Sequence, residues 1–101
     1  MRLRWTLRAR WDLDEIGTYI SRDSPAAARR WIERLRDRAR KAAQTPRAGR
    51  VVPELERENV REVFLRSYRI VYRVEQNFIE VMTVFEGHRL LRREDIPDLE
   101  E

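Results

Sequence analysis

Arg61, Arg69, Arg73, Glu54 and His88 are the side chains in this 101-residue chain whose types and placement reach beyond packing into chemistry. Arg61 and Arg69 fall on neighbouring predicted strands, and Arg69 and Arg73 share a face because strand side chains repeat every two residues. Arginine is permanently charged and grips phosphate through paired hydrogen bonds, so it suits the stabilisation of negative charge and not the transfer of a proton. Proton movement would fall to Glu54 and to His88, the single histidine, since an imidazole ordinarily titrates at about pH 6.5. Each residue also has a plainer role. A strand arginine serves equally as a solvated or ion-paired face residue, Glu54 as an arginine's partner, and His88, following Gly87, as a turn residue.

These side chains belong to a chain of 12.3 kDa, enough for one domain and too little for a multidomain enzyme. Charged residues make up 40% of it, but 42% hydrophobic content with nine aromatics separates it from disordered chains. With no cysteine and one histidine there is neither a disulfide framework nor a zinc ligand set, so no cofactor or metal is expected. No apolar run approaches the roughly 18 residues of a membrane span, and the start, Met1 to Trp5, lacks a signal-peptide core, so the expected location is the cytoplasm. Charge is uneven: residues 1–50 hold 14 basic and 6 acidic side chains (+8), and residues 51–101 hold 8 and 12 (−4). A basic half of this kind attracts a polyanion or an acidic partner.

The elements that must position the candidate residues follow from periodicity. Leu3, Trp5 and Leu7 alternate with Arg2, Arg4 and Thr6 as in a strand. From residue 8 to 21 the period lengthens to a helix, with Ala9, Leu13, Ile16 and Ile20 on one stripe. Ser24 and Pro25 offer an N-cap followed by a first-turn proline, and a second helix carries Ala28, Trp31, Ile32, Leu35, Ala39 and Ala42 inward until Thr45-Pro46. Residues 47–55 form a loop or broken strand, and 61–65, 68–74 and 78–85 form three successive antiparallel strands. Trp11, Trp31, Tyr19 and Tyr72 are expected in the core. On the exposed face of the second helix, Glu33 is expected to pair with Arg36 and Asp37 with Lys41. The resulting class is α+β in the order β-α-α-β-β-β, a helical hairpin on one face of a curved, mainly antiparallel four-stranded sheet. Residues 1–92 make up the domain and residues 93–101 a charged C-terminal tail.

Ser24-Pro25-Ala26-Ala27-Ala28, Gly49-Arg50 followed by Pro53-Glu54-Leu55, Val60-Arg61-Glu62-Val63, Tyr68 to Arg73 and the closing Val81 to Arg89, taken together, resemble the RelE/ParE superfamily of bacterial toxins. The resemblance covers roughly residues 3–92. It implies the toxin of a type II toxin–antitoxin module, of the kind associated with plasmid stabilisation, held in a hetero-oligomer with a cognate antitoxin that masks it.

Two mechanisms come with that resemblance. ParE-like members inhibit DNA gyrase by binding, whereas RelE-like members cut mRNA on the ribosome by attack of the ribose 2′-hydroxyl on the adjacent phosphate. Cleavage of that sort needs a base, an acid and cations for the phosphorane charge. Glu54, Arg69 and His88 are similar to the Glu/Arg/His set of one nuclease branch, with Arg61 as a second phosphate ligand. The chain departs from RelE proper in lacking lysines in the loop before the second strand and any tyrosine after Tyr72, and His88 precedes Arg89 where that branch has an aromatic residue. The ParE-like mechanism is therefore expected, with ribosome-dependent mRNA cleavage as the alternative and a non-toxic relative that only holds its antitoxin as a third. Both mechanisms are expected to fail together if Arg61 and Arg69 are aimed away from one another.

Overall fold

A computed structural model describes residues 1–87, and His88 with the rest of the tail lies outside the described residues. Strand β1 (Arg2–Trp5) leads through Thr6 into α1 (Leu7–Ser21), then α2 (Pro25–Gln44), β2 (Arg50–Val51), β3 (Val60–Leu65), β4 (Tyr68–Val74) and β5 (Phe78–Glu86). The sheet runs in the order β1-β5-β4-β3-β2, with β1 parallel to β5 and every other pair antiparallel. The chain thus enters at one edge, crosses the sheet through the helical hairpin, and returns from the opposite edge strand by strand.

The expected class is present, with one more strand than expected. Arg50 and Val51 pair with Glu62 and Arg61, and the strand stays at two residues because Pro53, with no N–H to donate, follows closely. At the other end the alternation through Leu7 gives way to helix one residue early. Thr6 caps α1 by accepting from the Ala9 amide at 3.0 Å while its hydroxyl donates to the Met82 carbonyl at 2.9 Å, which turns Leu7 outward as the first helical residue. Ser24 caps α2 in the same way through the Ala27 amide, with Pro25 at the first helical position as expected.

Both faces of the sheet are covered. On the helix side Leu13, Leu35, Val63, Ile70, Tyr72, Ile79, Val81 and Val84 form the main core with the alanines of both helices. On the outer side Val52, Val60, Val71, Met82 and Phe85 make a second cluster, with Leu55 packed against it from the loop between β2 and β3. The shift from one face to the other along β5 is made by a register shift opposite Val71 and Tyr72. There the Asp12 carboxylate of α1 accepts hydrogen bonds from the Thr83 hydroxyl at 2.5 Å and the Val84 amide at 3.0 Å, so the irregular backbone is satisfied by the helix above it.

Two of the four aromatics expected in the core are elsewhere. Tyr72 is fully buried and Trp31 half-buried against Tyr68, but Trp11 and Tyr19 are 67% and 68% exposed. With Ala9 and Leu13 fixed inward, the 100° step per residue carries Trp11 and Tyr19, together with Leu7, to the outer side of α1.

Tyr72 donates from its hydroxyl to the Pro46 carbonyl at 2.6 Å, and Gly49 approaches so closely that an added Cβ would lie 2.2 Å from the Tyr72 Oη. Burial pushes the Tyr72 phenol above its ordinary value of 10.0, and burial followed by the Glu86 charge pushes Tyr68 the same way. An unfolded phenol ionises first as pH rises, so the unfolded state then binds fewer protons than the folded one. Stability is therefore expected to be full below pH 10.0 and to fall as pH climbs above it, with a smaller fall in Tyr72→Phe, checked by urea unfolding across that range.

Candidate functional site

Arg69 lies on the outer face of β4, opposite Phe64 of β3 and Phe85 of β5, and only 5% of the residue is exposed. A guanidinium so far from water requires acceptors around it. Glu62, two residues from Phe64 on the same face of β3 and 2% exposed, accepts from Arg69 Nε at 2.8 Å and Nη2 at 2.5 Å. Glu54 reaches in from the loop after β2 and accepts from Nη1 at 2.9 Å and Nη2 at 3.0 Å. The second Glu62 oxygen accepts from Arg50 Nε at 2.7 Å and also pairs with Arg50 Nη2. The result is an alternating, charge-balanced row, Glu54–Arg69–Glu62–Arg50, with the Phe85 ring beside Arg69, 5.2 Å from its Cζ.

Burial by itself would lower the Arg69 pKa, but the hydrogen bonds it donates to Glu54 and Glu62, with their negative charge, outweigh it and leave the guanidinium raised and permanently charged. The row also has a mechanical effect. Val52 O accepts from the Leu55 and Glu56 amides, so residues 52–56 fold into a turn, and the Glu54–Arg69 bridge ties that turn down over the outer cluster.

Arg61 occupies the other face. Register sets it opposite Tyr72, on the helix side, while Arg69 stands opposite Phe64 on the outer side. Arg61 donates to three backbone carbonyls, Glu58 at 2.9 Å and Arg47 and Gly49 at 3.0 Å each, and to the Glu58 carboxylate at 2.8 Å. It clamps the two ends of the loop between α2 and β3. Arg73 does share the outer face with Arg69, but it pairs with Glu75 at 2.7 Å and Glu80 at 3.3 Å at the far end of β4.

The structure thus brings Glu54 and Arg69 together, turns Arg61 away from them, and leaves His88 outside the described residues. Glu62 and Arg50 complete the cluster and carry no independent signal in the sequence. Glu62 is the one acid alternating with Val60 and Phe64 on that strand face, and only the pairing register shows which arginine answers it.

A second feature shares Phe85 with this cluster. A cleft of about 530 Å³ opens between the exposed side of α1 and the ends of β4 and β5, lined by Trp11, Ile16, Tyr19, Tyr68, Val84 and Phe85 with Asp12, Glu15, Glu86 and Arg8 among them. Trp11 and Tyr19 expose most of their surface there, and exposed apolar surface of this kind is what interaction sites commonly present.

A family model described as the ParE toxin of the type II toxin–antitoxin system parDE matches residues 3–91. The chain belongs to that family. It is 39% identical over 90 residues to the putative toxin Y4kP of Sinorhizobium fredii, covering 87% of this chain and 90% of that one. It is 35% identical over 86 residues to Toxin RelE2 of Caulobacter vibrioides, with 85% and 94% covered. Among solved structures, a chain from the chromosomal ParDE toxin–antitoxin system of P. aeruginosa superposes with a TM-score of 0.71 at 25% identity, over 85% of this chain and 95% of that one. The RelE/ParE resemblance and the ParE-like toxin assignment are borne out. No helix among the described residues is long and apolar enough to cross a membrane.

Removing the Arg69 side chain leaves two carboxylates without their shared cation, one of them almost fully buried. Arg69→Ala is expected to lower unfolding stability by about 3–5 kcal/mol, and Glu54→Gln, at a position nearer solvent, by clearly less. Denaturant unfolding of the two variants measures the difference.

Proposed function

We propose that this ParE-family toxin inhibits growth by binding DNA gyrase and that a cognate antitoxin neutralises it. The observation that supports binding over cleavage is the condition of Arg69. Its hydrogen-bonding edge is occupied by Glu54 and Glu62, and Arg61 works on the other side of the sheet. A phosphorane would have to compete with two carboxylates already in place, and cations aimed at different faces do not converge on one phosphate. Binding to a protein partner needs no such convergence, so the expectation that both mechanisms fall with a divided Arg61 and Arg69 is corrected for binding.

Ribosome-dependent mRNA cleavage through Arg69, Arg61, His88 and Glu54 remains the alternative, favoured by the likeness to a relative named Toxin RelE2. The third possibility is a non-toxic relative that only binds antitoxin. Induced expression with toe-printing of cellular messages, alongside gyrase supercoiling in vitro, separates the three. The expected outcome is growth arrest with intact messages and inhibited supercoiling; cuts at ribosomal A-sites would establish the nuclease, and the absence of a growth defect would favour the third.

For the antitoxin we assign the α1 cleft. Leu7, Trp11 and Tyr19 stand exposed along one line of the helix, and Glu15 and Glu86 on the cleft suit an apolar segment that also carries basic side chains. Trp11→Ala with Tyr19→Ala is expected to weaken antitoxin binding by at least about tenfold. Because both side chains are mostly in water, the unfolding midpoint of the free toxin should change little. Titration of the variant with purified antitoxin, with a denaturation curve beside it, checks both halves of the expectation.

A further inference from the structure

Helix α2 carries seven basic side chains and two acidic ones. Both acids are occupied within the helix, Glu33 by Arg36 at 3.5 Å and Asp37 by Arg40 and not by Lys41. Arg30, Arg34 and Arg38 follow one another at four-residue steps, about 6 Å apart along one stripe, and no carboxylate among the described residues pairs with them. Like charges at this spacing repel one another, so an anion laid along the row would relieve that repulsion.

The stripe continues past the helix. Strand β2 pairs with only Arg61 and Glu62, which leaves the rest of that β3 edge without a neighbouring strand, and Arg38 closes it by donating from Nε to the Phe64 carbonyl at 3.2 Å. The Phe64 ring itself is 41% exposed on the outer face, with the Arg50 guanidinium carbon 5.5 Å from its centroid. Midway along the row, Arg34 lies over Trp31, 4.9 Å from that ring. A line of guanidinium groups therefore leads over the edge of the sheet to an accessible aromatic face with a further arginine beside it.

We propose that this track binds single-stranded nucleic acid, with phosphates along Arg30, Arg34 and Arg38 and a base stacked on Phe64. Regularly spaced cations match a charged backbone, and an acidic peptide would use them equally well; the aromatic terminus distinguishes the two, because an unpaired base supplies a planar face to stack. A duplex keeps its bases stacked on one another and makes only the phosphate contacts. The arginine row itself belongs to neither the Arg69 cluster nor the α1 cleft, and its Phe64 end meets the cluster only at Arg50; the proposal does not rest on the gyrase reading.

Fluorescence anisotropy with the full chain tests it, using labelled oligo(dT) and oligo(U), a DNA duplex of equal length and a poly-glutamate peptide. Both single strands should bind, the tighter one naming the preferred sugar, with affinity falling linearly in log salt. The double variant Arg30→Gln/Arg34→Gln should reduce that slope by about 1.4, at roughly 0.7 per phosphate contact. Phe64→Ala should weaken single-strand binding by about fivefold or more and leave the duplex unaffected. Circular-dichroism melting confirms that these surface variants stay folded. Absence of single-strand binding at low salt, an unchanged slope in the double variant, unchanged single-strand affinity in Phe64→Ala, or poly-glutamate bound as tightly as the oligonucleotides would each overturn the proposal.

Discussion

A guanidinium removed from water must be surrounded by acceptors, and in this protein that requirement organises the outer half of the molecule. Arg69 sits at 5% exposure near the start of β4, where solvent does little to stabilise its charge. Glu62 is supplied by the neighbouring strand, but Glu54 has to be brought from a loop. Bringing it there folds residues 52–56 across the sheet and shelters Val52, Val71, Met82 and Phe85. The ion row and the second hydrophobic cluster thus depend on one another: the cluster's cover is held by the bridge, and the bridge gains its strength from the exclusion of water by the cover.

The helix side obeys a different constraint. β5 must pair with a parallel strand on one side and an antiparallel strand on the other, while sending Met82 and Phe85 outward and Val81 and Val84 inward. A regular strand cannot place those residues in that way, and the register shift near Met82 resolves the conflict. Thr6 and Asp12 of α1 take up the polar groups that the irregularity frees, so the first helix is fixed to the sheet by hydrogen bonds as well as by its buried stripe.

With the helix side of the sheet closed and most of the outer side sheltered, what remains for partners is the outside of the helical hairpin, the edge of the sheet and the exposed Phe64 ring. The two helices differ sharply there. α1 presents Leu7, Trp11 and Tyr19 beside carboxylates, and α2 presents a row of arginines. Two chemically opposite surfaces on adjacent helices suit two unlike partners, in a family whose toxins belong to a toxin–antitoxin system.

Local rules in the sequence determined the elements: Ser24-Pro25 started α2, the period-two runs marked three strands, and the Gly49 to Pro53 stretch marked an irregular connection. They determined much of the inward stripe of each helix too, but Trp11 and Tyr19, apolar by type, lie outward because helical angle and not hydrophobicity sets their side of α1. The candidate site was less legible. Glu54 and Arg69 could be singled out by residue type, yet that they bond to each other, that Glu62 and Arg50 join them, and that Arg61 faces the opposite way all follow from which residue of β3 stands against which residue of β4. Register is set by the global fit of two hydrophobic faces and not by any local preference, and a shift of one residue would exchange every partner. Residue types and periods were therefore fixed in one dimension, whereas the pairing of charges was decided only when the strands met.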